Sequence, residues 1–196
     1  MPNSKLDCGP VAIGMVSSYY GLNIQFEKIQ ELVVAETSGA TWTLGLAAAA
    51  AEIGLAVRMY SRSLGVNQSN FALEYYRENA AGLSEAQQKL VSLGRRCTEH
   101  GGVLEERGLS FEELCSAVRA RSVPILLLDW AKVINHPAYI GHFLPMVGFT
   151  DSQVLLHNPG PLNPMAFMPL DREIFEIARK ALGTDEDVLI IDGLRG

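Results

Sequence analysis

Residues 141–158 read GHFLPMVGFTDSQVLLHN, and the way this stretch folds decides what kind of protein the chain makes. HFLPMVGF and QVLLHN are rich in aliphatic and aromatic residues, and Thr150, Asp151 and Ser152 between them form a turn, so the stretch reads as a β-hairpin. His142 opens the first strand. His157 and Asn158 close the second, just before Pro159, which biases Asn158 to an extended backbone. Sixteen positions separate His142 from Asn158, which is about right for both to lie at the open end of the hairpin, where an imidazole and an amide can meet. Pro145 has no N–H to give a ladder, so its strand is expected at an edge or a bulge.

Working outward, VPILLLD at 123–129 and DVLIID at 187–192 are further apolar strands, and Asp171–Leu182 reads as a helix closed by Gly183. The first half of the chain is helical in pattern. Val11, Ala12, Met15, Val16 and Tyr19 recur at helical spacing before Gly21, Ile29, Leu32 and Val33 suggest a second helix, and Leu44–Ile53 a third, ended by Gly54. Ala56–Ser61 alternates like a short strand. Asn70–Asn79, Ser84–His100 and Ser110–Arg121 are amphipathic and helical, with Ser84 and Ser110 as expected N-caps. Helices first and strands afterwards indicate an α+β fold: helices from about 1–121 packed in two layers on a mainly antiparallel sheet from about 122–196, forming a single domain over 1–196. No repeat, low-complexity segment or linker divides the chain.

Composition sets the outer limits. The chain has 196 residues, 48% of them hydrophobic, with a formal net charge of −6 and no run of Lys or Arg longer than Arg95-Arg96. Nucleic acid and anionic membrane are therefore not expected as partners. The longest apolar stretch, Leu44–Ala51, is far shorter than the ~20 residues of a membrane span. The chain opens with no signal-peptide pattern, so the expected location is the cytoplasm. Three cysteines, Cys8, Cys97 and Cys115, cannot all pair with one another, and the four histidines lack zinc-site spacing; neither a disulfide framework, a metal nor another cofactor is expected.

Chemistry concentrates at Cys8. It directly precedes the first helix, where unpaired N–H groups and the helix dipole favour a thiolate, and Gly9 beside it lets a backbone approach closely. The Cys8 N–H is a candidate oxyanion donor. On this segment alone, a small buried cysteine is as good a reading as a nucleophile. With His142 and Asn158 downstream, however, the order Cys, His, Asn is that of a papain-like triad: Cys8 as nucleophile, His142 as base, Asn158 as the group that orients the imidazole. Cys97 and Cys115 read as packing residues, and His100, before Gly101-Gly102, as a helix C-cap. His157 is expected to point away from Asn158, and Trp42 reads as core, with lining a cleft as the lesser alternative.

DCGPVAIGMVSSYYG, GHFLPMVGFTDSQVLLHNP and their order resemble the bacteriocin-processing, double-glycine-type branch of the papain-like cysteine peptidases. TWTLGLAAAAAEIGL, SRSLGV followed by EYYREN, and ARKALGTDEDVLII resemble more closely the guanylyl cyclase domain-containing protein family of plants and animals, with its GTDED signature and G-H-F or G-H-Y motif. The resemblance runs from about Leu6 to Ile191. It implies a papain-like cysteine peptidase fold, and it carries the roles of nucleophile, base and orienting amide onto Cys8, His142 and Asn158. Relatives usually carry a Gln oxyanion donor six residues before the cysteine, where this chain has Pro2; either Asn3 or Ser4 substitutes for it, or an attenuated or absent activity is the expectation. At Gly45 the family's W-T-x-D-L motif has Asp, a difference read as a changed surface or loop contact. Asp7, Gly9, Trp42 and Gly141 are expected to border the substrate cleft.

The family name also implies GTP cyclisation. Two-metal phosphoryl chemistry needs converging carboxylates and a phosphate cradle, and the chain has no G-x-x-x-x-G-K-[ST]; its one acidic cluster, Asp185-Glu186-Asp187, reads as a solvated turn or salt-bridge partner. Thiol hydrolysis or acyl transfer on a peptide, isopeptide or related amide of a peptide or protein substrate is the leading expectation. Cyclase activity and a non-catalytic binding module on the same fold are the alternatives.

Overall fold

The fold is given by a computed structural model, which describes residues 7–36, 38, 40–79, 82–160 and 163–196. Its elements follow in the order α1 Cys8–Tyr19, α2 Phe26–Val33, α3 Thr43–Glu52, β1 Leu55–Ser61, a 3-10 turn Gln68–Ala72, α4 Glu74–Asn79, α5 Leu83–Glu99, β2 Val103–Glu106 and α6 Phe111–Arg119. The second half contributes β3 Val123–Asp129, α7 Trp130–Ile134, β4 Gly141–Phe149, β5 Gln153–Asn158, β6 Met165–Asp171, α8 Arg172–Arg179 and β7 Val188–Leu194.

One seven-stranded sheet runs in the order β2-β1-β7-β3-β4-β5-β6, antiparallel except for the parallel β1–β2 pair. Strand alternation sends side chains to two cores. Val57, Met59, Ile125, Leu127, Phe143, Leu189 and Ile191 pack under α1, α2, α3 and α5. Tyr60, Leu126, Leu128, Leu144, Met146, Leu156 and Ile190 pack under α6 and α8. Helices therefore cover both faces, and the layers number three where two were expected. The reason is visible in β3, buried at every position: a strand apolar on both faces needs cover on both.

Several local expectations hold. Ser110 caps α6 in a reciprocal capping box with Glu113, and His100 is the C-cap of α5. Others are corrected. The N-cap of α5 is Gly82, not Ser84, and Asn70–Asn79 is a 3-10 turn followed by a short helix. β4 is an interior strand and not an edge, but the bulge alternative fits: its register against β5 shifts between Met146 and Gly148, next to Pro145, and its pairing with β3 ends at Pro145. Gly45 lies in α3 and is buried: a Cβ there would sit 2.6 Å from the Val33 carbonyl oxygen, so this glycine permits close approach of α2 rather than altering a surface or loop. Among the described residues no helix is long and apolar enough to cross a membrane.

Candidate functional site

Cys8 is the first residue of α1, 7% exposed, and its thiol faces the backbone N–H groups of Phe143, Gly9 and Cys8 itself. The positive end of a helix dipole favours a thiolate, but loss of solvent opposes it and is the larger effect: burial pushes the Cys8 thiol above its ordinary value of 9.0. Burial thus favours the neutral thiol over the thiolate. Asp7 occupies the N-cap without capping; its Oδ1 accepts from Gln30 Nε2 at 3.1 Å. Gly9 packs on α3, where a Cβ would meet Leu46 at 2.9 Å.

His142 and Asn158 meet across the β4–β5 hairpin. His142 Nε2 lies 2.9 Å from Asn158 Oδ1, and both side chains are buried. That same oxygen accepts the Gly160 N–H at 3.0 Å, and Asn158 Nδ2 donates to Asn163 O at 3.0 Å. An amide oxygen that accepts a backbone N–H fixes the orientation of the carboxamide. His142 therefore carries its proton on Nε2 and leaves Nδ1 as the basic lone pair. Burial pulls the imidazole below its ordinary 6.5, opposed by the Asn158 bond, so the ring is neutral and proton-accepting at neutral pH. The Trp130 ring lies edge-on to it, centroids 5.0 Å apart.

The three groups gather at one end of the sheet, but their links differ. Among the described residues no hydrogen bond joins Cys8 to the His142 ring; the cysteine is tied to β4 through the N–H of Phe143, one residue on. His142 pairs in register with Leu128, which belongs to the second core, whereas Phe143 packs with Cys8 in the first. Asn3 and Ser4, together with Pro2, lie outside the described residues.

Cys8 borders a small pocket. Its wall includes Trp42, Tyr75, Tyr76, Tyr139, Gly141 and Phe143, so Trp42 and Gly141 border it and Asp7 and Gly9 do not. Trp42 Nε1 donates to Glu36 at 2.6 Å, and Lys89 pairs with the same carboxylate at 2.9 Å. The tyrosines were not legible as site residues. EYYREN reads as an amphipathic helix, and Tyr139 sits in a short loop; only the fold carries them to the cysteine. A larger groove, ≈ 1380 Å³, runs along α1, β4 and β6 and includes Asn158 but not Cys8.

A second pocket shares Thr41, Trp42, Tyr76 and Leu127 with the first and reaches the GTDED stretch. Of the two readings of this acidic cluster, solvated turn and salt-bridge partner, the second holds for Glu186, and the neighbouring carboxylates are bound within the fold. Asp185 accepts from Asn67 Nδ2 at 2.6 Å and Asn70 Nδ2 at 2.7 Å, and Glu186 pairs with Arg62 at 2.5 Å. Asp187 is bound by the Thr43 hydroxyl, and burial pushes its carboxyl up to about 7. Among the described residues no three His, Cys, Asp or Glu side chains converge as a metal-binding group.

Comparison with known proteins matches this arrangement to two kinds of relative. A crystal structure described as that of a C39-like peptidase from Bacillus anthracis superposes with a TM-score of 0.53 over 97% of this chain and 90% of its own, at 14% identity. The α+β fold is thus papain-like, as the sequence implied. Guanylyl cyclase 1 of Arabidopsis thaliana is 24% identical over 202 aligned positions, 95% of this chain and 72% of that protein. A family model described as guanylylate cyclase matches residues 2–191, and the chain belongs to that family.

Proposed function

We propose that the chain is a papain-like thiol hydrolase or acyl transferase acting on an amide bond of a peptide or protein, with Cys8, His142 and Asn158 in the three roles. The observation that carries this reading is the buried His142–Asn158 pair, whose amide orientation leaves Nδ1 basic, at the sheet end that also holds Cys8. In the reaction, Cys8 Sγ attacks the carbonyl carbon and its proton passes to His142 Nδ1. The imidazolium returns that proton to the leaving amine as the C–N bond breaks, which gives a thioester on Cys8. Water, or an acceptor amine in acyl transfer, then attacks the thioester and restores the thiol. A neutral thiol beside a neutral base suits this order, in which charge forms only during attack. Three unpaired thiols fit a reducing compartment, the cytoplasm.

The family's name favours a second reading, GTP cyclisation, which would call for divalent metal and a triphosphate site. The carboxylates do not fit that task. Asp185 is held by two asparagines, Glu186 by arginine and Asp187 by Thr43, and no metal-binding trio converges among the described residues.

The test is a paired assay on the full chain: p-nitrophenyl acetate with mass mapping of the acetyl group, and GTP with Mg²⁺ or Mn²⁺ followed for cyclic nucleotide. The reading expects acetyl on Cys8 in preference to Cys97 and Cys115, and no cyclic product that depends on Asp185 or Asp187. Cyclic product without any Cys8 acylation would reverse the ranking.

A further inference from the structure

We propose that the Tyr75 hydroxyl is an oxyanion donor for acyl transfer at Cys8; this rests on the thiol reading above. When Sγ adds to a carbonyl, negative charge develops on the carbonyl oxygen, and donors already aimed at that position lower the barrier. The backbone N–H groups of Phe143, Gly9 and Cys8 lie against the sulfur, and a side-chain donor on the facing wall of the pocket would complete such a site. Most polar groups of that wall are already engaged. The hydroxyls of Tyr76 and Tyr139 both donate to Gly183 O, at 2.5 and 2.9 Å, the Trp42 indole donates to Glu36, and Asn79 Nδ2 donates to Tyr75 O at 2.8 Å.

Tyr75 differs from its neighbours. It lines the same pocket as Cys8, its ring is held edge-on by Tyr76 and Tyr139 at centroid distances of 5.6 and 5.3 Å, and its hydroxyl has no hydrogen-bond partner among the described residues. A rigid ring carrying an unengaged donor is what a preorganised site requires. Burial, and repulsion from a charge on Cys8, push the phenol up to about 12, so it keeps its proton throughout the working range. The repulsion also puts Tyr75 within electrostatic reach of Cys8. Thr41 carries another hydroxyl of this wall without a hydrogen-bond partner among the described residues; it packs against Gly9, and a Cβ there would meet its Oγ1 at 3.1 Å. A phenol is the stronger donor of the two.

The experiment compares the full chain with Tyr75→Phe, which deletes one oxygen and no hydrogen bond among the described residues, and with Thr41→Val. Each is tested for single-turnover acetylation of Cys8 by p-nitrophenyl acetate, and for alkylation of Cys8 by iodoacetamide, a displacement in which no oxyanion forms. Expected for Tyr75→Phe is a ~10²–10³-fold slower acetylation with half-saturation and alkylation rate unchanged, while Thr41→Val stays within a few-fold of the parent. Unchanged acetylation in Tyr75→Phe overturns the assignment while the thiol reading stands. Equal loss in acetylation and alkylation also overturns it, because the residue then only shapes the pocket. A parent that never acetylates Cys8 removes the thiol reading itself, and this inference with it.

Discussion

Two pockets share a wall of Thr41, Trp42, Tyr76 and Leu127, yet they are built for opposite things. On the Cys8 side two groups have no hydrogen-bonded side-chain partner among the described residues, the buried Cys8 thiol and the Tyr75 phenol, and the His142 imidazole lies beside Phe143, on the neighbouring position of β4. On the Asp185–Asp187 side Asp185 is held by Asn67 and Asn70, Glu186 by Arg62 and one oxygen of Asp187 by Thr43, while Asp187 Oδ1 is buried without a hydrogen-bond partner among the described residues. Reactivity needs groups with capacity to spare, whereas a bound carboxylate holds a loop in place. The GTDED signature, the most specific piece of the family resemblance, therefore reads as the brace of a loop. It fixes Gly183 O, on which Tyr76 and Tyr139 are anchored, and so shapes the neighbouring pocket from behind.

Substitutions can break this contrast, and the largest effect is expected at the base. His142→Ala should slow Cys8 acylation by ~10²–10⁴-fold, and because the ring is buried and bonded to Asn158 it should also lower stability by ~1–3 kcal/mol at every pH. The equivalent carboxylate change should raise stability instead. The Asp187 carboxyl, pushed up to about 7 from an ordinary 3.8, binds its proton more tightly folded than unfolded. The folded state is thus favoured most below about pH 4, loses stability as pH rises toward 7, and stays at the lower level above it. Asp187→Asn should be more stable than the parent at pH 8, by up to ~4 kcal/mol, with the gain fading toward pH 4. A denaturant series at the two pH values checks both sign and trend. Acylation at Cys8 should change little.

Much of this was legible in the residues, for physical reasons. Hairpin, first helix and capping box are written in local pattern, and His142 and Asn158 are joined by a span that their own turn dictates. β2 and β6 were not legible. β2 has four residues with no alternation of burial, and β6 is an edge strand carrying Phe167 and Pro169, mostly exposed. Strands of that kind are held by their neighbours and not by their own composition. The tyrosine wall escaped for a related reason, since Tyr75 and Tyr76 lie in a short helix far in sequence from Tyr139 and Cys8. Burial of Cys8 also reversed an electrostatic expectation: the helix terminus alone favours a thiolate, but desolvation wins.

A smaller prediction sharpens the role of the shared wall, which hangs on α3. Gly45→Ala would drive a methyl against the Val33 carbonyl and should cost ~1–3 kcal/mol of stability through overpacking, read as a lower unfolding midpoint. Smaller still is the effect at the other thiols. Cys97→Ala and Cys115→Ala, each buried in a separate core, should lower stability modestly and leave Cys8 acylation within a few-fold.

The most direct test of the central claim is the pH dependence of single-turnover acylation at Cys8 in the parent and in His142→Ala. With a neutral imidazole as base, the parent rate should rise through an apparent pKa below the ordinary histidine value of 6.5 and then stay level toward pH 9. The variant should have no such plateau, and its rate should climb about tenfold per pH unit toward a thiol pKa above 9.0. Superimposable profiles for the two proteins would contradict the claim that His142 takes the proton from Cys8.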